Sequence, residues 1–103
     1  MYGTKYFYVK FQNSEIQLAM VKGYERMRQA EREGTEDGVS VALETAVAIV
    51  AEMENLPSFN CGYGSVLNEN GIVEVDACVM DGKDLRVGGV TALGEAAFDT
   101  YFF

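Results

Sequence analysis

Histidine is absent from this chain of 103 residues, and so is tryptophan. Without an imidazole, Ser-His-Asp and Cys-His catalytic arrangements are excluded, because both use it as the base. Most zinc sites are excluded as well, since only Cys61 and Cys78 could supply soft ligands. Because the first residues lack the apolar stretch of a secretory leader, we expect two free thiols and a cytosolic protein.

Basic residues are few: 8 lysines and arginines stand against 16 acidic residues, for a net charge of −8. A surface of this sign repels phosphate backbones and anionic lipids, so neither nucleic acid nor a membrane is an expected partner. No apolar run approaches the roughly 20 residues that span a bilayer. With 49% hydrophobic residues, the composition indicates one small acidic domain over residues 1–103.

The first third of the chain predicts a strand and a helix. Residues 6–11 are rich in aromatic and β-branched side chains, which favours a strand. Ser14 is a plausible N-cap for the helix that follows, and Gly34 suits its C-cap. An apolar stripe at helical spacing should face the core. The stripe consists of Ile16, Met20, Tyr24 and Met27.

A second helix is predicted over residues 39–53. This segment is apolar over most of its circumference, which is typical of a helix buried between two layers. It should end near Asn55, because Pro57 disfavours a helical conformation at the residue before it.

The second half of the chain predicts strands. Asn70-Gly71 is a strong hairpin signal, and residues 72–80 follow it as the return strand. Residues 85–93 form another strand, in which Gly88 and Gly89 would let backbones approach. Asp76 lies in an apolar strand and should be hydrogen-bonded or paired. The fold class is therefore α+β, with two helices layered on a mainly antiparallel sheet.

Residues 56–90 hold the most specific pattern in the chain. It reads Phe-Asn-x-Gly-x-Gly-Ser-Val-Leu-Asn from Phe59, then Val-Glu-x-Asp-Ala-x-x-Met-Asp-Gly-Lys-Asp-Leu from Val73. This pattern resembles the plant-type asparaginases and isoaspartyl aminopeptidases, which are N-terminal-nucleophile (Ntn) hydrolases. The resemblance covers about residues 20–93 and implies part of an αββα sandwich. The chain would be the incomplete α-subunit region of such an enzyme, with divergent ends.

The resemblance implies a hydrolase of L-asparagine and β-aspartyl peptides whose precursor cleaves itself to free a catalytic threonine. In the family that threonine lies in a Gly-Thr-Val-Gly context, which these residues lack. Thr91 falls instead at a structural strand position, so no catalytic residue is assigned in this chain. A fragment or truncated homologue, inactive alone, is the first expectation. The alternatives are an acidic interaction module that pairs with an intact family member, and a chain without independent function.

The family also implies a sodium ion held by backbone carbonyls of the loop around the Phe-Asn-x-Gly motif. Carbonyl oxygens suit a hard cation, although water and the loop's own turns could satisfy the same groups. Asn60 would brace the active site or form a local Asx turn, and Gly62 and Gly64 would meet backbone requirements. Cys61 is not a predicted nucleophile, because no histidine or nearby lysine would lower its pKa. The carbonyls implied for sodium are those of Met53, Glu54, Leu56, Phe59, Cys61 and Tyr63.

Overall fold

The computed structural model describes the backbone of residues 2–36 and 38–94, and the side chains of that range from residue 13 onward. Two helices come first, α1 (Tyr2–Glu33) and α2 (Val41–Glu54). A short 3-10 helix (Gly62–Gly64) leads to two strands, β1 (Glu74–Asp81) and β2 (Arg86–Gly94), which pair antiparallel. The fold is α+β, as predicted.

The predicted strand over residues 6–11 is wrong, because these residues belong to α1. For the same reason Ser14 lies inside the helix and is not its N-cap. Strand preference of aromatic residues is a weak prior, and residues 4–22 contain neither glycine nor proline to stop a helix. The predicted C-cap is confirmed: Gly34 has φ 86° and donates its N–H to the carbonyl of Ala30 at 2.9 Å.

The face that α1 packs against α2 is not the predicted apolar stripe. Met20 and Tyr24 of that stripe are 54% and 59% exposed. The buried positions carry mostly small residues, and a Cβ on Gly23 would overlap the side chain of Ile49 on α2. Close approach of two helices therefore selects the small face over the bulky one. From residue 13 onward, where side chains are described, the buried residues of α1 are Glu15, Ala19, Gly23 and Ala30.

Helix α2 begins and ends near its predicted limits. Ser40 is its N-cap, and the Ser40 Oγ accepts the N–H of Leu43 at 3.1 Å. Its C-cap is Asn55, which confirms the predicted end. The prediction that α2 is buried between two layers is wrong, since none of its residues is buried and Val50 is 51% exposed. Helix α1 covers one side, while the other side opens on a cavity described below.

The strands appear close to their predicted positions, but the hairpin is a different one. Asn70-Gly71 closes a local turn in which the Asn68 N–H reaches the Ile72 carbonyl at 2.9 Å. In the described residues no strand precedes that turn, so it does not join two strands. The hairpin forms at the next turn, where Asp81 pairs with Arg86.

Asp76 is hydrogen-bonded, as predicted. It sits where the β1–β2 register shifts, and its Oδ1 accepts the N–H of Ala92 at 2.9 Å. The prediction that Gly89 permits a close backbone approach is wrong, because a Cβ there would stand 3.6 Å from the Ala77 carbonyl oxygen, an ordinary contact.

Within the described part of the chain, no helix combines the length and the hydropathy needed to cross a bilayer.

Candidate functional site

The glycine loop, which we define as residues 56–67, folds back on the end of α2. Gly62 has φ 51°, and a Cβ there would overlap the carbonyl oxygen of Glu54. A Cβ on Gly64 would overlap the carbonyl oxygen of Phe59 and lie 2.6 Å from that of Pro57. Both glycines are therefore placed where main-chain oxygens crowd the loop and no side chain fits.

Asn60 closes the loop across six residues. Its Oδ1 accepts the N–H of Val66 at 3.0 Å, which is a longer span than the Asx turn considered from sequence. The bond uses the amide oxygen and leaves the NH2 group of Asn60 to act as a donor.

A cavity of about 220 Å³ lies between the glycine loop and the first half of β1. Asn60, Cys61 and Glu54 line one side, and Glu74 and Asp76 of β1 line the other. The site predicted from the loop alone is thus completed by a strand that follows some ten residues later in the sequence.

Ser65 is a residue of this cavity that sequence reasoning missed. Its Oγ is buried and has no hydrogen-bond partner among the residues that the structure describes. A buried hydroxyl costs free energy unless it finds a partner. The only sequence signal was its place inside the Gly-Ser-Val-Leu motif, and that signal does not reveal an unsatisfied oxygen.

The six carbonyls implied for sodium lie between the end of α2 and the 3-10 helix. Three of them accept loop hydrogen bonds: Met53 from Leu56 at 3.1 Å, Leu56 from Phe59 at 3.5 Å, and Cys61 from Gly64 at 3.1 Å. The Glu54 and Phe59 oxygens point at the two glycines, and the sixth carbonyl belongs to Tyr63 in the 3-10 helix. A carbonyl oxygen has two lone pairs, so each of these oxygens keeps a lone pair for a further partner.

Comparison with known proteins gives the family. The sequence profile of the family described as Asparaginase matches residues 7–97. The chain belongs to this family. The recognition made on residues 56–90 is therefore confirmed, and the glycine loop is an asparaginase-family loop.

The relatives of this asparaginase-family chain are much longer than the chain. The "Isoaspartyl peptidase/L-asparaginase" of Mus musculus is 54% identical over 52 residues, which are 50% of this chain and 16% of that protein. The Xenopus laevis protein of the same name is 44% identical over 82 residues, or 80% of this chain and 24% of that protein. The chain thus spans between a sixth and a quarter of the length of these relatives.

The electrostatics of the asparaginase-family loop oppose an activated thiol. Burial raises the pKa of Cys61 above its usual value, and the Glu54 carboxylate raises it further. Burial also raises the pKa of Glu54 itself. A reactive cysteine needs a lowered pKa, so the structure supports the reading of Cys61 as a non-nucleophile.

Glu54→Gln should speed alkylation of Cys61. The substitution removes the negative charge that disfavours the thiolate, so a larger fraction of Cys61 ionises at pH 8. The measurement is the iodoacetamide labelling rate of each cysteine by peptide mass spectrometry, with exposed Cys78 as the control in the same sample. Equal rates at Cys61 in the two proteins would show that Glu54 exerts no effect there.

Proposed function

We propose that this chain supplies the α-subunit part of a threonine-nucleophile amidohydrolase that acts on L-asparagine and β-aspartyl peptides. The observation that carries the proposal is the cavity of the asparaginase-family loop, where Asn60 and a buried, unpartnered Ser65 hydroxyl meet. The printed names of the relatives, isoaspartyl peptidase and L-asparaginase, support the substrate class.

In the proposed reaction a threonine freed by self-cleavage attacks the side-chain amide carbonyl, and its own α-amino group takes the hydroxyl proton and gives it to the leaving ammonia or amine as the C–N bond breaks. Water then hydrolyses the acyl-enzyme ester and releases the carboxylate. The proposal places that threonine outside residues 1–103. Thr91 does not serve, because it lies inside β2. Residues 1–103 alone are therefore proposed to be inactive.

The role of this chain is to bind and orient. The Val66 N–H fixes the amide plane of Asn60, so the Asn60 NH2 group can donate to a substrate oxygen in a preset direction. The Ser65 hydroxyl offers a second neutral donor in the same cavity. Donors that are already oriented stabilise developing negative charge without reorganisation.

Asn60→Asp is the substitution that tests this role. Aspartate keeps the oxygen that accepts from Val66 but loses the NH2 donor and adds a charge. We expect the chain alone to release no ammonia from L-asparagine. Co-expressed with the remaining part of the Xenopus laevis relative, it should support turnover that Asn60→Asp lowers by roughly 10²-fold or more. Asn70→Asp, in the turn outside the cavity, is the matched control.

Two outcomes would contradict the proposal. One is hydrolysis by the purified 103-residue chain, which would place a nucleophile within it. The other is turnover in the co-expressed pair that Asn60→Asp leaves unchanged, which would remove Asn60 from the site.

Sodium as a structural ion of the glycine loop is a further part of the proposal. The six carbonyls would hold it, and when bound it would offset the charge of Glu54. We expect the melting temperature to be higher in NaCl than in choline chloride of equal ionic strength. Saturation to about 100 times the dissociation constant would stabilise the fold by about 2.7 kcal/mol. Identical melting curves in the two salts would exclude a sodium site.

The alternative function, an acidic interaction module, has one observation in its favour. A second cavity of about 170 Å³ between α2 and β1 has an apolar lining that includes Val47, Val50 and Val79. Size-exclusion chromatography with the full Xenopus laevis relative tests it. A stable complex that adds no turnover would favour this alternative, whereas a clean monomer at high concentration would count against it.

The cytosol is the proposed compartment. Cys61 and Cys78 are both free in the structure, which suits a reducing environment. Cell fractionation of the native product is the test, and recovery from a secretory fraction would contradict the proposal.

A further inference from the structure

Asp81 is an unusual residue for the end of a hairpin strand. It is an acidic side chain with only 5% of its surface exposed. Its Oδ1 accepts the N–H of Lys83 at 3.0 Å within the turn, and the hydroxyl of Ser40 at 3.2 Å from the other side of the molecule. A buried carboxylate that bonds both its own turn and a residue 41 positions away restrains the hairpin against that distant segment.

Ser40 continues this connection into the helical layer. The same Ser40 Oγ that donates to Asp81 accepts the N–H of Leu43 in the first turn of α2. One hydroxyl therefore links the helix end to the carboxylate. Because the N-terminus of a helix carries partial positive charge, the negative Asp81 is favoured beside it.

A second hydrogen bond joins the same end of the hairpin to the segment that precedes α2. Arg86 faces Asp81 across the β1–β2 register, and its Nη2 donates to the Gly38 carbonyl at 2.9 Å. Asp84 orients that guanidinium by accepting from its Nε at 2.6 Å. We call the set formed by Asp81, Ser40, Arg86 and Gly38 the hairpin clamp.

The clamp lies at one end of β1, and the cavity of Asn60 lies at the other. Five residues separate Asp76 in the cavity wall from Asp81, which is about 17 Å along a strand. Helix α2 runs the opposite way, from Ser40 at the clamp to Glu54 at the cavity. The glycine loop and β1 are the two walls of the cavity. The distance between them therefore depends on how firmly the start of α2 is joined to the end of β1.

We propose that Asp81 is a positioning residue for the cavity of Asn60, because it joins the hairpin to the start of α2 through Ser40. The inference rests on the proposed function only in giving that cavity a role in substrate binding. Loss of the Asp81–Ser40 bond lets the hairpin move away from the glycine loop while the α1–α2 pair stays intact.

The charges around Asp81 support an ionised carboxylate in this role. The Lys83 N–H holds the pKa of Asp81 below its usual value against the opposing effect of burial, and Ser40 and the positive Arg86 act in the same direction as Lys83. A lowered pKa in the folded state means that the stabilisation is complete at neutral pH and is lost as the pH falls through that pKa. Lys83 and Asp84 are the other charged residues of the same turn.

Native-state amide hydrogen exchange of the full chain, read by NMR, tests the inference. The Val66 N–H bonds Asn60 within the glycine loop, and both residues line the cavity that β1 closes, so Val66 exchange reports whether β1 stays over this bond. The Ile49 amide reports on the α1–α2 pair. We expect Asp81→Ala to raise Val66 exchange about ten-fold and to leave Ile49 unchanged. Ser40→Gly should do the same, since glycine is a tolerated N-cap that lacks the hydroxyl.

Three further variants sharpen the test. Asp81→Asn keeps an acceptor oxygen, so it should rescue most of the protection of Val66. The double variant Asp81→Ala/Ser40→Gly should exchange no faster than either single variant, because both remove the same bond. Lys83→Ala is the control, since it keeps the backbone N–H that Asp81 uses.

Unchanged Val66 exchange in Ser40→Gly would overturn the inference, as would an equal rise at Ile49, which would mark a general loss of stability. If Asp81→Ala fails to fold, Ser40→Gly and Asp81→Asn still decide the matter. None of these measurements depends on hydrolysis, so a failure here is distinct from a failure of the proposed function.

Discussion

Gly64→Ala should lower the free energy of unfolding by about 3 kcal/mol. The added Cβ would overlap the carbonyl oxygen of Phe59 and lie 2.6 Å from that of Pro57. Both obstacles are main-chain atoms of one tight loop, so neither can rotate away as a side chain would. The glycine loop has to open, and the carbonyl cradle proposed for sodium opens with it. Urea unfolding followed by circular dichroism measures the loss.

Gly82→Ala is the matched control for Gly64→Ala. Gly82 lies in the hairpin turn, where a Cβ would have no atom within 4 Å. Its φ angle is outside the left-handed region that favours glycine. Its replacement should change stability by no more than about 0.5 kcal/mol. A similar loss in both variants would mean that the effect comes from glycine replacement in general and not from the loop. In that case the carbonyl cradle proposed for sodium would still be intact in Gly64→Ala. Its melting temperature would then still be higher in NaCl than in choline chloride.

Gly23→Ala should destabilise the α1–α2 pair by about 2 kcal/mol, although alanine is the better helix former. The new methyl group would lie 2.6 Å from Cδ1 of Ile49 and would overlap its Cγ1. The helices must then separate, or Ile49 must leave its rotamer. No residue of α2 is buried, so the helix has little other packing to offset the overlap. The measurement is again urea unfolding.

The double variant Gly23→Ala/Ile49→Ala separates overlap from other causes. Removing the Ile49 side chain makes room for the new methyl group, so the second substitution should cost less in the Gly23→Ala background than in the native chain. A coupling free energy of about 1 kcal/mol or more is expected for two side chains in contact. Additive effects would show that Gly23 and Ile49 do not meet in solution.

Local signals were sufficient for much of the fold. Gly34 ends α1 and Asn55 caps α2, because a left-handed glycine and an approaching proline act within a few residues. The strands appeared near their predicted positions, since alternation and turn residues are also local. The hydrogen bond expected of Asp76 is present, to the Ala92 N–H, although Asp76 is exposed and burial does not require the bond.

Residues 6–11 show where local signals mislead. Aromatic and β-branched side chains favoured a strand, yet they lie in a helix of 32 residues. The face of α1 misled in a similar way. Hydrophobicity pointed to Met20 and Tyr24, whereas Ala19 is the buried residue and Gly23 is the one that lies against Ile49 of α2. Which side of a helix is buried depends on the shape of its partner, and a single sequence does not contain that shape.

By itself the sequence determined the family, the α+β class and the backbone demands of Gly62 and Gly64. These follow from residue type and spacing within one segment of chain. Tertiary structure decided which groups share a cavity: Asn60 and Ser65 of the loop meet Asp76 of β1, and Ser40 meets Asp81 across 41 residues. The physical reason is that such contacts depend on how α2 and the hairpin pack, and packing is a property of the assembled elements.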